Sequence, residues 1–418
     1  MKLLHLADLH LDSPFSGIGQ QSSQLQKRLI QSPYKALEKG VDAAIDRCVD
    51  AVVIAGDIYD ANRQTVYAQH FFINQLKRLE VADIPVVLIH GNHDFIHPGQ
   101  LTPNYPSNVY SLDDEAVTFV DLDLKSGESV RFYGFSYHHR WIQTNKVEEF
   151  PVNPKETDYV VGLYHGAPEG ENYAPFKVQD MVNKNYDYWA LGHIHQPWIL
   201  HKSPLIQYAG TPQGRHRNEV EDMGAAVVTL TKGQPTQSEF ISLAEITWHH
   251  QRVVCNESWT GQELLQALEE MVYNYLQSAQ ATGQSQLLSV VLERAQLLET
   301  SVIDEVRNGE ILEVLHNSSP SAELFVQIVD LKLSFDYEDE LFEYDPSLNA
   351  SYQQALEHLY EGDEYEKTMK DFFNHTIVRT WLQDLSQNED LKEAIVQGAH
   401  DLMVQKIGFE DEEGDYEN

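Results

Sequence analysis

Five short apolar runs in the first half of the chain each end by delivering side chains that can hold a metal ion. "KLLHLA" is followed by Asp8 and His10, "VVIAG" by Asp57, "VVLIHG" by Asn92, His93 and Asp94, "VVGLY" by His165, and "YWALG" by His193 and His195. Runs of this length, rich in Val, Ile and Leu, read as buried strands. Helical patterns separate the first three, one ending at Val49 and one crossing Thr65 to Leu79, so this part reads as βαβ units. From Val117 the pattern changes to strands with short connections: "VTFVDLDL", "VRFYGFS", "DYVVGLYH", "YWALGH", "LIQYAG" and "GAAVVTL". The economical fold class is a mixed α/β domain built around sheet, and in open α/β sheets ligands bind at the carboxyl edge of the strands.

Each of these residues alone has an ordinary reading. Asn92 beside Gly91 is turn chemistry, and Asp8 suits a helix N-cap. The ordered set, each member at a strand end, is what carries weight. Gly56, Gly91, Gly166 and Gly192 abut its members, as expected where backbone turns sharply. Asp8, His10, Asp57, Asn92, His165, His193 and His195 are too many ligands for one ion and suit two if a carboxylate bridges, with Asp57 the natural bridge. Neutral imidazoles, an amide and two carboxylates leave two divalent ions with a net charge of about +2, which suits a phosphodiester.

The ordered pattern D-x-H, GD-x-x-D, GNHD, H and GH-x-H resembles the calcineurin-like metallophosphoesterases over roughly residues 1–215. That resemblance implies a sheet sandwich flanked by helices. It also implies that Asp8, His10, Asp57 and His195 hold one ion, and that Asp57, Asn92, His165 and His193 hold the other, the two ions about 3.5–4 Å apart. His93 would contact the scissile phosphate or protonate the leaving oxygen, oriented by Asp94; imidazole is suited to this because it titrates near neutrality. Within the superfamily, "LADLHLDSPF", "AGDIYD", "IHGNHD", "LGHIHQP" and "YAGTPQGRH" are similar to the SbcD-type DNA repair exonucleases, in particular their YhaO-like bacterial branch. Members of that family cleave DNA with Mn²⁺, commonly from 3′ ends, beside an SMC-like ABC ATPase that is SbcC-like or YhaN-like. One position departs from the pattern: Asp60 stands where archaeal and eukaryotic members usually carry a second histidine.

The formal net charge of −36 is unevenly placed. Residues 1–255 carry 21 Lys/Arg against 30 Asp/Glu, and residues 256–418 carry 8 against 35. Phosphate contacts need Lys/Arg clusters, so DNA is expected on the N-terminal part. There "GTPQGRHRNE" supplies Arg215, His216 and Arg217 as candidate DNA and phosphate contacts, Arg215 foremost because a guanidinium forks onto phosphate oxygens. "YHHRW" at 137–141 is a second choice.

Expected domains are a nuclease domain over 1–250, a small α+β capping domain over 256–335, a helical partner-docking segment over 349–408, and an acidic tail over 409–418. Helical patterns fall at about 349–362, 364–386 and 388–406. Cys48 and Cys255 are the only cysteines, which suggests a reducing, cytoplasmic home, with Cys48 expected as a small buried residue. No apolar segment reaches transmembrane length, so the expectation is neither secretion nor membrane insertion. A homodimer is left open, as are two other functions on the same fold: a phosphoesterase for small-molecule or protein phosphates, and a non-catalytic scaffold.

Overall fold

The computed structural model describes residues 1–335 except 14, 16–22, 61–63, 98–103, 169, 171, 220–222, 258 and 319–323. Beyond these it describes 351, 354–355, 358–359, 364–374, 392, 395–396 and 398–399. Two six-stranded sheets carry the N-terminal part. The first has the order β12 (Gln237–Ser242), β11 (Gly224–Thr229), β1 (Lys2–Leu6), β2 (Ala51–Ala55), β3 (Val86–Ile89), β4 (Val109–Ser111). The second has the order β5 (Thr118–Asp123), β6 (Ser129–Gly134), β7 (Tyr159–His165), β8 (Tyr188–Gly192), β10 (Leu205–Tyr208), β9 (Trp198–Lys202). β1 to β4 run parallel, as do β6, β7, β8 and β10, and antiparallel strands close every edge except that of β4.

Strand periodicity sends alternate residues into two layers. Leu3, Val53, Val87 and Ile89 meet Phe132, Val161 and Tyr188 between the sheets. Leu4, Leu6, Val52, Ile54 and Leu88 pack instead against Leu37 of α1 (Ser23–Asp46) and Phe72 and Leu76 of α2 (Val66–Val81). The outer face of the second sheet buries Val160, Tyr164, Trp189 and Ile206 with Met181 of α3 (Val178–Asn183). Helices therefore cover both sheets, which is why the central strands read as unbroken apolar runs. Thr65 starts α2 by accepting the Ala68 N–H at 3.2 Å.

The later elements are β13 (Ile246–Val254), α4 (Gly261–Thr282), β14 (Ser285–Glu293), α5 (Thr300–Arg307), α6 (Glu310–Ser318), β15 (Val326–Leu333) and α7 (Glu364–Asn374), with a three-stranded sheet of order β13, β14, β15. The chain divides into two compact units. One comprises Met1–Gln251, Leu268–Ser289 and Leu315–Asp330, and the other Arg252–Ala267, Val290–Val314 and Leu331–Asn418. Within the first, Leu25 and Leu29 of α1 pack with Trp248, Leu287, Phe325 and Val329.

Several elements differ from the sequence expectation. β4, β9 and β12 were unforeseen because they are edge strands that bury little of their length. α6 adds a helix after the expected one. Cys48 is exposed, not buried: it occupies a left-handed turn (φ 49°) after α1 that points its side chain outward. Of the expected C-terminal helices, α7 lies within 364–386; the patterns at 349–362 and 388–406 fall mostly outside the described residues, as does the tail over 409–418. Among the described residues, no helix is long and apolar enough to cross a membrane.

Candidate metal centre

The carboxyl ends of β1, β2 and β3 from one sheet and of β7 and β8 from the other bring all seven expected ligand side chains together. The Asp8 N–H donates to the Gly56 carbonyl at 3.1 Å and the His10 N–H to the Asp57 carbonyl at 3.0 Å, so the two loops run side by side. Asp8 (φ 52°), His10 (φ 43°), Asp57 (φ 52°) and His193 (φ 103°) all adopt positive φ, which is costly for residues with a Cβ and persists only where the surroundings hold it. Glycine is required at 91 for another reason. A Cβ there would stand 2.2 Å from Asp57 Oδ1 and 2.7 Å from His165 Nε2.

Two groups of ligand atoms form. Asp8, His10 and His195 make one and Asp8, Asp57 and His165 the other, each with its atoms within 4.8 Å of one another. Asn92 Oδ1 joins the second group, 2.9 Å from His165 Nε2 and 3.0 Å from His193 Nδ1. Asp57 Oδ2 lies 3.7 Å from His10 Nε2 and 3.4 Å from His165 Nε2, between the groups.

The tautomers make these distances informative. His165 Nδ1 donates to the Ala55 carbonyl at 2.9 Å, so in the neutral ring Nε2 carries a lone pair. That lone pair faces the carbonyl oxygen of Asn92 and a carboxylate oxygen of Asp57, both acceptors. His10 Nε2 faces His195 Nε2 at 3.1 Å, close enough for one ring to donate to the other or for both to face a shared cation. Converging lone pairs in a buried site need a shared cation or a proton, and nitrogen and oxygen donors of this kind suit divalent transition metals. The electrostatics agree. Burial opposes charge on His165, but the neighbouring Asp57 carboxylate outweighs it and raises the imidazole to about 9. Burial opposes ionisation of Asp57 too, yet His165 and His10 hold it below the ordinary carboxylate range. His193, with less compensation for burial, falls to about 3 and stays neutral.

His93 stands beside the cluster, its N–H donating to Asp57 Oδ1 at 2.8 Å and its ring edge-on to His10 with centroids 5.0 Å apart. Among the described residues Asp94, expected to orient that ring, makes no hydrogen bond to it. Its carboxylate is buried and accepts the backbone N–H groups of Asp57 (3.2 Å), Ile58 (3.0 Å) and Gly91 (2.7 Å), and lies 3.2 Å from His90 Nδ1. It ties the turn after β2 to the turn after β3.

Of the three basic candidates, only Arg215 enters the site. It is 9 % exposed, and among the described residues its Nε has no hydrogen-bond partner. Burial lowers its pKa against the pull of Glu219, Asp60, Asp8 and Asp57. Arg217 turns away to pair with Asp330 at 2.9 Å, and His216 is half-buried with Nδ1 accepting the Asn218 N–H at 3.2 Å. In "YHHRW", Tyr137 is buried and donates to the His165 carbonyl at 3.0 Å, and His138 Nε2 bonds the Asp113 carbonyl at 2.7 Å. Asp60 accepts the Ser13 hydroxyl at 2.8 Å.

Sequence reasoning missed Glu219 and Asp12. Glu219 bonds His195 Nδ1; burial opposes its ionisation, but His195 and Arg215 bring it down to about 2. Asp12 accepts from the Tyr34 and Thr65 hydroxyls, anchoring the loop after β1 to both helices. Both residues stood inside quoted motifs, but nothing local marks an acid as the partner of a distant ring.

Residues 1–197 match the family model for calcineurin-like phosphoesterases. The chain is 29% identical over 401 residues to the uncharacterized metallophosphoesterase YhaO of Bacillus subtilis, covering 93% of this chain and 94% of that protein. It is 29% identical over 248 residues to the DNA double-strand break repair protein Mre11 of Sulfurisphaera tokodaii, covering 56% of this chain and 61% of that one. The SbcD component of the nuclease SbcCD from Staphylococcus saprophyticus is 24% identical over 281 residues, 58% of this chain and 69% of its own.

Proposed function

Because residues 1–197 are a calcineurin-like phosphoesterase domain, we propose that the chain is a dinuclear-metal phosphodiesterase that hydrolyses DNA, an exonuclease of the SbcD type. The observation that carries the dinuclear reading is the pair of nitrogen and oxygen donor clusters that share Asp8, with Asp57 Oδ2 lying between His10 and His165. Asp8, His10, Asp57 and His195 hold one ion, and Asp57, Asn92, His165 and His193 the other, with Mn²⁺ the expected metal. Two such ions supply an activated water and neutralise charge on a phosphodiester. The protein's own residues supply the remainder. His93, placed beside Asp57 and His10, gives a proton to the leaving oxygen. Arg215 offers its guanidinium, whose Nε has no partner among the described residues, to a phosphate oxygen. Asp94 holds the two ligand-bearing turns in register, so its part is positional.

DNA as substrate is supported by the names of the Mre11 and SbcCD relatives and by the quoted motifs. In this reading residues 256–335 cap the nuclease, residues 349–408 dock an SMC-like ABC ATPase, and the protein works in the cytoplasm. The net charge of −36 favours the other reading, a phosphoesterase for smaller substrates. Incubation with Mn²⁺ and end-labelled linear duplex DNA, in parallel with bis-p-nitrophenyl phosphate, separates them. The nuclease reading expects DNA degradation that Asp57→Asn abolishes and that His93→Ala reduces strongly without loss of bound metal. Hydrolysis of the small ester with intact DNA would establish the alternative.

A further inference from the structure

The motif "YAGTPQGRHRNE" folds into a strap against the metal centre, and the strap is held from several sides. Thr211 donates its N–H to the His195 carbonyl and its hydroxyl to the Asp8 carbonyl, both at 2.8 Å. Gln213 is buried and bonds both ways with the start of β13: its Nε2 donates to the Ile246 carbonyl at 2.7 Å and its Oε1 accepts the Glu245 N–H at 2.8 Å. Trp248 donates to the Gly214 carbonyl at 3.2 Å. Gly214 leaves no room for a Cβ, which would lie 2.9 Å from the Glu219 carbonyl oxygen. At the far end, Glu219 folds back to His216 through its N–H at 2.9 Å and becomes largely buried.

The two oxygens of that carboxylate do different things. Oε1 bonds His195 Nδ1, and Oε2 accepts the N–H groups of Arg215 at 2.6 Å and His216 at 3.2 Å. We propose that Glu219 is a positioning residue that couples the metal centre to the phosphate clamp: one oxygen fixes the ring of His195 for a cation and the other sets the backbone from which Arg215 enters the site. An ionised carboxylate only accepts hydrogen bonds, so Nδ1 must carry the proton and Nε2 is left with its lone pair aimed at His10 Nε2. A carboxylate behind a ligating histidine orients the ring and strengthens it as a ligand. The inference rests on the dinuclear reading above and deepens it, because it concerns only the ion held through His195.

Glu219→Gln tests it in the full chain. The glutamine oxygen can still accept the two strap N–H groups, while its NH₂ donates to Nδ1 and drives His195 to the Nε2–H tautomer, which cannot ligate. Calorimetric titration of the metal-free protein with Mn²⁺ should show two ions in the wild type. In the variant, one of the two should bind about 10- to 100-fold more weakly and the other unchanged. A second measurement needs no variant that might misfold: ¹⁵N-histidine spectra of the metal-free wild type in mildly alkaline buffer should assign His195 as the Nδ1–H tautomer. Wild-type protein that binds no Mn²⁺ would overturn the dinuclear reading and this inference with it. Two ions in the wild type with unaltered affinities in Glu219→Gln would overturn the inference alone. So would an Nε2–H tautomer at His195 in the wild type, or equal weakening of both ions.

Discussion

Gly91→Ala is the sharpest test of how closely the centre is packed. Gly91 has no positive φ to restrict it, so the substitution acts by volume alone. The new methyl would stand 2.2 Å from Asp57 Oδ1 and 2.7 Å from both Nε2 and Cε1 of His165. Asp57 Oδ1 would have to retreat by about 1 Å to reach ordinary contact. It cannot do so freely, because it accepts the His93 N–H at 2.8 Å while the other oxygen lies between His10 and His165. Overpacking of this kind costs about 1–3 kcal/mol, which lowers the melting temperature by about 2–4 °C per kcal/mol in a domain of this size. Displacing Asp57, the proposed shared ligand, by about 1 Å should reduce turnover about 100-fold. Thermal denaturation of metal-free protein, Mn²⁺ calorimetry and hydrolysis of bis-p-nitrophenyl phosphate measure the three effects. Wild-type metal affinity and turnover in Gly91→Ala would refute the placement of Asp57 and His165 around this glycine.

Other substitutions separate roles that look alike in the sequence. Asp94→Asn turns an amide NH₂ toward backbone donors and should cost about 1–3 kcal/mol in urea denaturation of the metal-free protein; unchanged stability would mean that those bonds hold nothing. Arg215→Ala should weaken DNA binding and reduce the slope of log affinity against log salt by about 1, whereas Arg217→Ala, whose ion pair with Asp330 is half-exposed, should leave the slope alone and cost at most about 1 kcal/mol. The reverse result would put Arg217 on the phosphate. His5 is buried against the Tyr188 hydroxyl at 2.7 Å, and burial lowers it from 6.5 to about 3 although a backbone bond to Leu191 opposes this. Below about pH 6.5 the unfolded chain takes up a proton that native His5 refuses, so stability should fall with pH by up to about 1.4 kcal/mol per unit, a loss that His5→Gln should not show. Parallel wild-type and variant slopes in urea denaturation at about pH 7 and about pH 5 would exclude His5 as the cause.

The sequence by itself determined where each candidate ligand would emerge. A strand buried on both faces must be an apolar run, and the few residues beyond it must leave at the carboxyl end, which places Asp8, Asp57, Asn92, His165 and His193 along one edge. It also determined α1, α2 and the βαβ order, because these rest on local periodicity. What it could not determine is which partners meet across long separations. His165 comes from the second sheet to donate to the Ala55 carbonyl 110 positions away, and that bond selects the tautomer that aims Nε2 at Asn92 and Asp57. Arg215 and Arg217 are two positions apart in one basic cluster, yet only the tertiary structure buries the first among Asp8, Asp57 and Asp60 and hands the second to Asp330. Asp94 follows His93 directly but turns to the backbone of Asp57, Ile58 and Gly91. In each case the residue type was legible, but its role was not. A carboxylate or guanidinium settles on whichever charges and N–H groups the packed sheets bring within about 3 Å, and that neighbourhood is a property of the fold rather than of adjacent letters.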